Sequence, residues 1–444
     1  MMFDVIPGLS WSWALDGWIV VVGALAAIAA SLLGSFLVLR KMSMLGDAVT
    51  HAVLPGIAVA FFITESRSSL PMFLGAIFVG ILTTLFTEWI RGFGGVDEGA
   101  SMGVVFTSLF ALGLLIMEQT AHAVDLDADC VLFGAIELTP LERVSVLGWR
   151  VPRAAAVLAV VVVLNAAFVF FFFKELMLTS FDPALATSMG FSSRIVHYAL
   201  MVLVSVTAVA CFESVGSILV VAMFVVPAAS AYMLTDRLGW MIGIAVILAA
   251  SSSLAGHLMA LGIPPLLGYP GTTTAGMIAV ASGVFFLAAA LFGPRYGLVV
   301  RWARRRVLAM RILCDDVVAV LFRWEETDER SEVSESALAE RLFVSRFWLR
   351  AALALLRRRE DVARDGGVAV RLTSQGRERA KRLVRSHRLW EQYLVDQAGS
   401  GAERIHGKAE RYEHFTDRNL RDALANQTDR PELDPHGRPI PEEG

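Results

Sequence analysis

Apolar positions run in long blocks through the first 295 residues and at helical spacing afterwards, so the chain divides into two stretches made for different solvents. The blocks fall at about 16–39, 45–63, 71–90, 101–118, 153–173, 195–211, 214–234, 240–262 and 273–292, each near the ~20 apolar residues that cross a bilayer. About eight or nine membrane spans are predicted, those beginning at 45 and 195 being the weakest. Gly262-Ile-Pro-Pro265 and Tyr269-Pro-Gly271 read as turns. Past Tyr296 the pattern predicts amphipathic helices at about 307–325, 334–342 and 345–357. Ser345 caps the last, which sets Leu349, Leu353 and Leu356 on one face. Asp365-Gly-Gly367 predicts a hairpin turn into a strand ending at Leu372. Three helices and a hairpin make a winged helix. The predicted class is therefore mainly α, a polytopic helical membrane unit followed by a winged-helix and helical domain.

Composition agrees. With 56% hydrophobic residues and a mean hydropathy of +0.60 in 444 residues, the chain exceeds what a soluble core needs. The net charge of −3 hides an asymmetry, because charges are sparse before residue 295 and dense after it. Arg40 with Lys41, Arg91, Lys174, Arg194, Arg237 and Arg295 fall at alternate loops, which places the amino terminus outside and the carboxyl-terminal domain in the cytoplasm. Asp125, Asp127 and Asp129 lie on an opposite loop, while Arg67, Arg143, Arg150 and Arg153 blunt the bias. The first apolar stretch is too long for a signal h-region and is read as a true span. Arg301, Arg304, Arg305 and Arg306 then form a basic juxtamembrane anchor. Three separated cysteines without CxxC give neither a disulfide framework nor a zinc knuckle. The chain has no GxxxxGK[ST], so no nucleotide is expected on it, and any ATP hydrolysis belongs to another subunit.

Chemistry enters at three places. Met42-Ser-Met-Leu-Gly-Asp-Ala-Val-Thr-His-Ala-Val-Leu-Pro-Gly56 stacks Asp47 and His51 one helical turn apart in an apolar stretch, where ionisable groups are costly and usually functional. A path for a divalent metal is one reading; a cap and a helix-to-helix contact is the other. Leu178-Thr-Ser-Phe-Asp-Pro-Ala-Leu-Ala-Thr-Ser-Met-Gly190 reads as a short helix in a cytoplasmic loop, with Asp182 as cap, Pro183 in the first turn and Gly190 closing it. Beyond 376, His387 and Glu391 are spaced i,i+4, and His406, Glu410 and Glu413 repeat at four and three with His414 beside them. Such nitrogen and carboxylate donors suit Mn, Fe, Co or Zn. His257, among serines, reads as a polar contact between helices, and Glu213 as a group near a helix entrance.

The blocks Arg40–Gly56, Leu178–Gly190 and Glu213-Ser-Val-Gly-Ser-Ile-Leu-Val-Val-Ala-Met-Phe-Val-Val-Pro-Ala-Ala-Ser230 resemble, in order, those of the ABC-3 permeases, which import zinc, manganese or iron. The resemblance implies that Asp47 and His51 line the metal path. It also implies a segment Phe181, Asp182, Pro183 to Gly190 that couples to an ABC ATPase subunit, an extracytoplasmic metal-binding protein, and pairing with itself or a sister permease in the plasma (inner) membrane.

From about 311 the chain resembles the diphtheria-toxin-repressor family of iron and manganese regulators, through Leu372-Thr-Ser-Gln-Gly-Arg377, Ser386-His-Arg-Leu-Trp-Glu391, the 405–414 block and Asp434-Pro-His-Gly-Arg-Pro-Ile-Pro441. This places His387, Glu391, His406, Glu410, Glu413 and His414 on ligand positions, with Asp316 as a further ligand on the first helix. Glu410 stands where the iron sensors have cysteine, which favours manganese, although iron and zinc also fit. Phe347, Trp348 and Leu349 occupy the helix where a DNA reader presents small polar residues, which argues against base reading. The expected layout is a permease over 1–297, a basic linker over 298–310, a winged helix over 311–375 and a metal-binding and dimerisation domain over 376–444. Expected function is the permease subunit of a metal importer with a regulating cytosolic tail. A membrane-tethered, metal-dependent DNA-binding regulator and a tail that only dimerises the permease stay open as alternatives.

Overall fold

In a computed structural model, residues 11–42, 45–52, 54–64, 69–120, 136–146, 148–269, 271–327, 333–365, 369–397 and 405–442 are described. Contacts divide the chain into two units, Met1–Val300 and Arg301–Gly444.

The first unit is helical, as lipid demands of a backbone that must satisfy its own polar groups. It contains α1 (Asp16–Leu39), α2 (Leu45–Ala52), α3 (Leu54–Thr64), α4 (Ser69–Gly94), α5 (Glu98–Thr120), the hairpin β1 (Arg143–Val146) and β2 (Trp149–Pro152), α6 (Arg153–Phe171), α7 (Phe173–Phe181), α8 (Pro183–Ser188), α9 (Ser193–Leu234), α10 (Leu238–Leu266) and α11 (Thr274–Phe292). Seven described helices, α1, α4, α5, α6, α9, α10 and α11, are long and apolar enough to span a membrane.

Three sequence expectations are corrected. The spans predicted at 195–211 and 214–234 lie in the 42-residue α9, whose helical path breaks at Gly216 (φ 75, ψ 168), a conformation glycine adopts without steric cost. The span predicted at 45–63 is the short pair α2 and α3, with Pro55 in the first turn of α3, where its missing N–H costs nothing. The turn predicted at Gly262–Pro265 is still α10. The prolines fall in its last turn, and the chain leaves the helix through Leu267 and Tyr269, whose N–H groups reach the Pro264 carbonyl at 3.0 and 2.9 Å.

Helix α1 packs against α6, α9 and α10 through a stripe of small residues including Ala26, Ala27, Ala30 and Gly34, the usual device where helices cannot rely on water for their cohesion. A β-carbon at Gly34 would lie 2.0 Å from the Phe224 carbonyl oxygen, so glycine alone permits this approach. Some buried polar groups bond across helices: Asn165 Nδ2 donates to the Ala29 carbonyl (3.1 Å) and to Thr207 Oγ1 (2.9 Å).

The second unit contains α12 (Leu298–Thr327), whose first three residues close the first unit, β3 (Val333–Ser334), α13 (Glu335–Arg341), α14 (Arg346–Arg358), β4 (Val362–Asp365), β5 (Ala369–Leu372), α15 (Ser374–Asp396), α16 (His406–Glu413) and α17 (Arg418–Gln427). The sheet order is β3-β5-β4, all antiparallel, with Val333 opposite Val370 and Val362 opposite Leu372. Leu313, Val317 and Leu321 of α12 meet Leu338, Leu349, Leu353 and Leu356 in one core, as the spacing in α14 predicted. Ser345 holds the N-cap position of α14 without a side-chain cap bond. The predicted turn at 366–367 lies outside the described residues. Helix α12 begins at Leu298, so the basic stretch 298–310 is helical; no glycine or proline interrupts it. A smaller cluster joins Leu389, Leu424, Ala425 and Ile440.

Candidate functional site

On the membrane side, Asp47 and His51 belong by backbone to α2, which packs among α4, α5 and α9 with Leu45, Ala48, Val49 and Ala52 buried. The side chains of Asp47 and His51 lie outside the described residues. His257 is buried and connects helices: its Nε2 is 3.1 Å from Asp16 Oδ1 and its Nδ1 3.3 Å from Thr274 Oγ1. Glu213 sits 3.5 Å from Arg153.

The loop segment folds as its sequence predicted. Asp182 Oδ1 accepts from the Leu185 N–H (2.9 Å), Pro183 opens α8, and Gly190 follows with φ 89. Phe181, Leu185 and Met189 leave an exposed apolar surface. Behind it the Arg40 guanidinium donates to Ser180 Oγ (3.0 Å) and Thr179 Oγ1 (2.8 Å) and lies 3.3 Å from His197 Nδ1. His197 Nε2 lies 3.1 Å from Glu88, beside a cavity of about 320 Å³ lined by Arg40, Glu88, Arg91 and Thr179. In the sequence Arg40 served to orient the chain and to open the Arg40–Gly56 block, with no sign of these contacts.

In the second unit, α15 and α16 bring three donors together: His387 Nε2 is 3.1 Å from Glu391 Oε1 and 3.0 Å from His406 Nδ1, and His406 Nδ1 is 2.9 Å from Glu391 Oε1. Adjacent donors around an octahedral ion with bonds of about 2.1 Å lie about 3 Å apart, so this triangle has the dimensions of one face of such a shell. His387 and Glu391 are buried, whereas the His406 side chain is 59% exposed, which leaves a way in. A second group joins Asp316, Glu413 and His414, with His414 Nε2 3.3 Å from Asp316 Oδ1 and 3.9 Å from Glu413 Oε1. Glu413 links the groups, because its other oxygen accepts from His387 Nδ1 at 2.5 Å. His414 Nδ1, on the other side of the ring, is buried without a hydrogen-bond partner and lies 3.7 Å from Asp315 Oδ2.

Shared protons hold these donors together. Burial alone would lower the His387 pKa, but Glu391 and Glu413 raise it above the ordinary histidine value. Burial also works against the Glu391 carboxylate, yet His387 and His406 keep it well below the usual range. For His414 the cost of burial is outweighed by Asp315, Asp316 and Glu413, which lift it to about 10. Both imidazoles must become neutral to ligate, so binding releases protons. Because His414 titrates above neutrality, its proton must be displaced throughout pH 6–8, and apparent affinity should rise about tenfold per pH unit for each proton released. Manganese calorimetry in buffers of different ionisation enthalpy checks this; equal heats in all buffers would contradict it.

Glu410, predicted to share the ligand face, is exposed and outside both groups. The buried stripe of this stretch is Ile405, Ala409 and Glu413, and Glu410 is one residue, ~100°, off it. Two contributors were missed. Asp315, beside Asp316, lies 3.7 Å from His414 Nδ1 and accepts from Arg379 at 2.6 Å. His436 Nε2 lies 3.8 Å from Glu391. The Asp315-Asp316 pair signalled the first; His436 stood in a motif quoted for its resemblance alone.

A bundle of apolar spanning helices with a capped loop helix, joined to a winged helix bearing paired donor groups, defines a polytopic membrane protein with an attached metal-site domain. The chain belongs to the ABC 3 transport family, whose model matches residues 16–293. The iron dependent repressor metal binding and dimerisation domain matches residues 373–442. The manganese transport system membrane protein MntD of Bacillus subtilis is 38% identical over 292 residues, 66% of this chain and 96% of MntD. The zinc transport system membrane protein TroD of Treponema pallidum is 37% identical over 364 residues, 81% of this chain and 96% of TroD. That alignment is longer than the first unit, so the likeness to TroD continues into the second. Among solved structures, PsaBC of Streptococcus pneumoniae in complex with Fab superimposes with a TM-score of 0.52 at 30% identity, over 63% of this chain and 92% of that one. The expected class, a mainly α permease followed by a repressor-like metal-binding domain, is borne out.

Proposed function

We propose that this chain is the membrane permease subunit of an ATP-driven importer of a divalent transition metal, and that its carboxyl-terminal domain senses the imported ion in the cytoplasm and restrains import when it is abundant. The observation that carries the reading is the pair of donor groups linked by the contact between His387 and Glu413, on the same chain as an ABC 3 unit. His387, Glu391 and His406 would hold one ion and Asp316, Glu413 and His414 another. All six donors are nitrogen or carboxylate oxygen, which favours manganese over thiophilic ions, and the relatives named for manganese and zinc transport support a metal of this class. Asp47 and His51 on α2 are assigned to the path of the substrate ion, which must be held loosely enough to leave.

Without a phosphate-binding loop of its own, the chain needs an ATPase subunit, and the exposed Phe181, Leu185 and Met189 around α8 suit a groove on it. An extracytoplasmic metal-binding protein and a second permease copy or sister complete the assembly. Asp182→Ala removes the cap bond to Leu185, destabilises α8 by about 1 kcal/mol and should lower import and stimulated ATP hydrolysis together by about fivefold. Uptake of radioactive manganese into proteoliposomes containing the permease, ATPase and binding protein tests the reading. ATP-independent uptake, or none by the wild type, would overturn it.

A further inference from the structure

The surface that a winged helix ordinarily offers to DNA is aromatic and basic here. Helix α14 opens with Arg346, Phe347 and Trp348, and the two aromatic residues are 72% and 38% exposed. Phe343, in the preceding turn, is 93% exposed and has a left-handed backbone (φ 53), at the end of a helix where glycine is the favoured residue. A bulky ring at that position carries backbone strain and gains no burial within this unit, so its benefit has to come from outside.

Arg306 connects this face to the start of α12. Its guanidinium carbon is 5.4 Å from the Trp302 ring centroid and 5.3 Å from that of Trp348, one cation held between two indoles. Trp302 is itself 61% exposed. Residues 298–314 contain Arg301, Arg304, Arg305, Arg306 and Arg311 and no acid; residues 341–350 contain Arg341, Arg346 and Arg350 and again no acid. Asp316 lines the cavity beside Arg306 and Trp348, and Glu335 lies 3.6 Å from Arg350, so the arginines outnumber the carboxylates around this face. Tryptophan and phenylalanine interleaved with an excess of arginine is the composition of a surface lying in the headgroup layer of an anionic membrane. Base reading instead needs polar groups aimed at groove edges, which Phe347 and Trp348 do not supply. The tether adds to this. Trp302 follows the last spanning helix by ten residues, and a chain extended over 293–297 and helical from 298 reaches about 25 Å at most.

We propose that the face formed by Trp302, Arg306, Phe343, Phe347 and Trp348 docks on the anionic cytoplasmic leaflet, so that the DNA-reading surface of the fold serves as a membrane-reading surface. The proposal rests on the cytoplasmic placement of this domain in the function proposed above. Phe347 suits a direct test, because an exposed ring tolerates replacement. The full-length chain carrying p-benzoylphenylalanine at position 347 is placed in phosphatidylglycerol-containing or pure phosphatidylcholine nanodiscs, with the ATPase subunit and duplex DNA present, and irradiated. A second sample carries the same probe at Phe415, an exposed position outside the face.

The expected result is lipid adducts at position 347, about fivefold or more abundant in the anionic discs because each arginine near such a surface contributes a factor of about five, and few at position 415. Adducts to the ATPase or to DNA, equal labelling at the two positions, indifference to lipid charge, or no adduct would each overturn it. Manganese uptake by the position-347 protein, measured in parallel, reports on the importer reading separately, so either can fail while the other stands.

Discussion

Glu413→Ala is expected to weaken metal binding by the carboxyl-terminal domain about a hundredfold or more, and at both donor groups at once. One oxygen of Glu413 meets His387 of the first group, while the other faces His414 of the second. Its loss leaves the second group with only two donors, Asp316 and His414, and frees the buried His387 ring from one of the two carboxylates that orient it. His406→Ala, by contrast, removes a donor from the first group alone, and Glu410→Ala should change affinity less than threefold because that side chain faces solvent. Manganese titration of the full chain in detergent, read as stoichiometry and affinity, separates the three. Full stoichiometry in Glu413→Ala, or a Glu410→Ala loss as large, would remove Glu413 from the centre of the site.

The second large effect is on stability. Arg388→Met should destabilise the carboxyl-terminal unit by about 3–5 kcal/mol, the usual consequence of deleting one partner of a buried ion pair. Arg388 is almost wholly buried and holds Glu326 of α12 through two bonds (3.0 and 2.5 Å), the Pro439 carbonyl (2.5 Å), and Asp434 at 3.6 Å. Asp434 is itself buried, and its other oxygen accepts from the His436 and Arg438 N–H groups at 2.9 and 2.8 Å, which shapes the turn over Leu389 and Ile440. Without the guanidinium two carboxylates lose their counter-charge, and the 431–442 segment should become protease-sensitive. The exposed pair Arg377–Glu325, at 3.0 Å, gives the control: Arg377→Met should cost less than 1 kcal/mol. Comparable thermal shifts for the two variants would contradict the assignment.

What the sequence disclosed, and what it hid, follow from the range of the interactions involved. Apolar blocks of membrane length, the cap Asp182 with Pro183 and Gly190, and the apolar stripe of α14 are local, and the structure has them where the residues predicted. The break at Gly216 escaped notice because a single glycine in an apolar run looks like any other packing residue. Pro264 and Pro265 looked like a turn because proline breaks helix interiors, but the helix runs through them and ends one residue later, at Leu266. In the metal groups, His387 with Glu391 was legible from i,i+4 spacing on a long helix. Glu410 lies on the exposed edge of its short helix, which spacing does not disclose; the buried Ile405 and Ala409 mark the other edge. Asp315, His436 and Arg388 act across elements separated by tens of residues, a pairing no periodicity encodes.

The most direct test of the central claim is manganese uptake by proteoliposomes that hold the permease, its ATPase and its binding protein with the cytoplasmic face inward, loaded inside with increasing free manganese. ATP-driven uptake by the wild type should fall as internal manganese saturates the His387 and His414 groups. Glu413→Ala should import at the unrestrained rate throughout. Identical inhibition of the two proteins, or a wild type indifferent to internal manganese, would contradict the account.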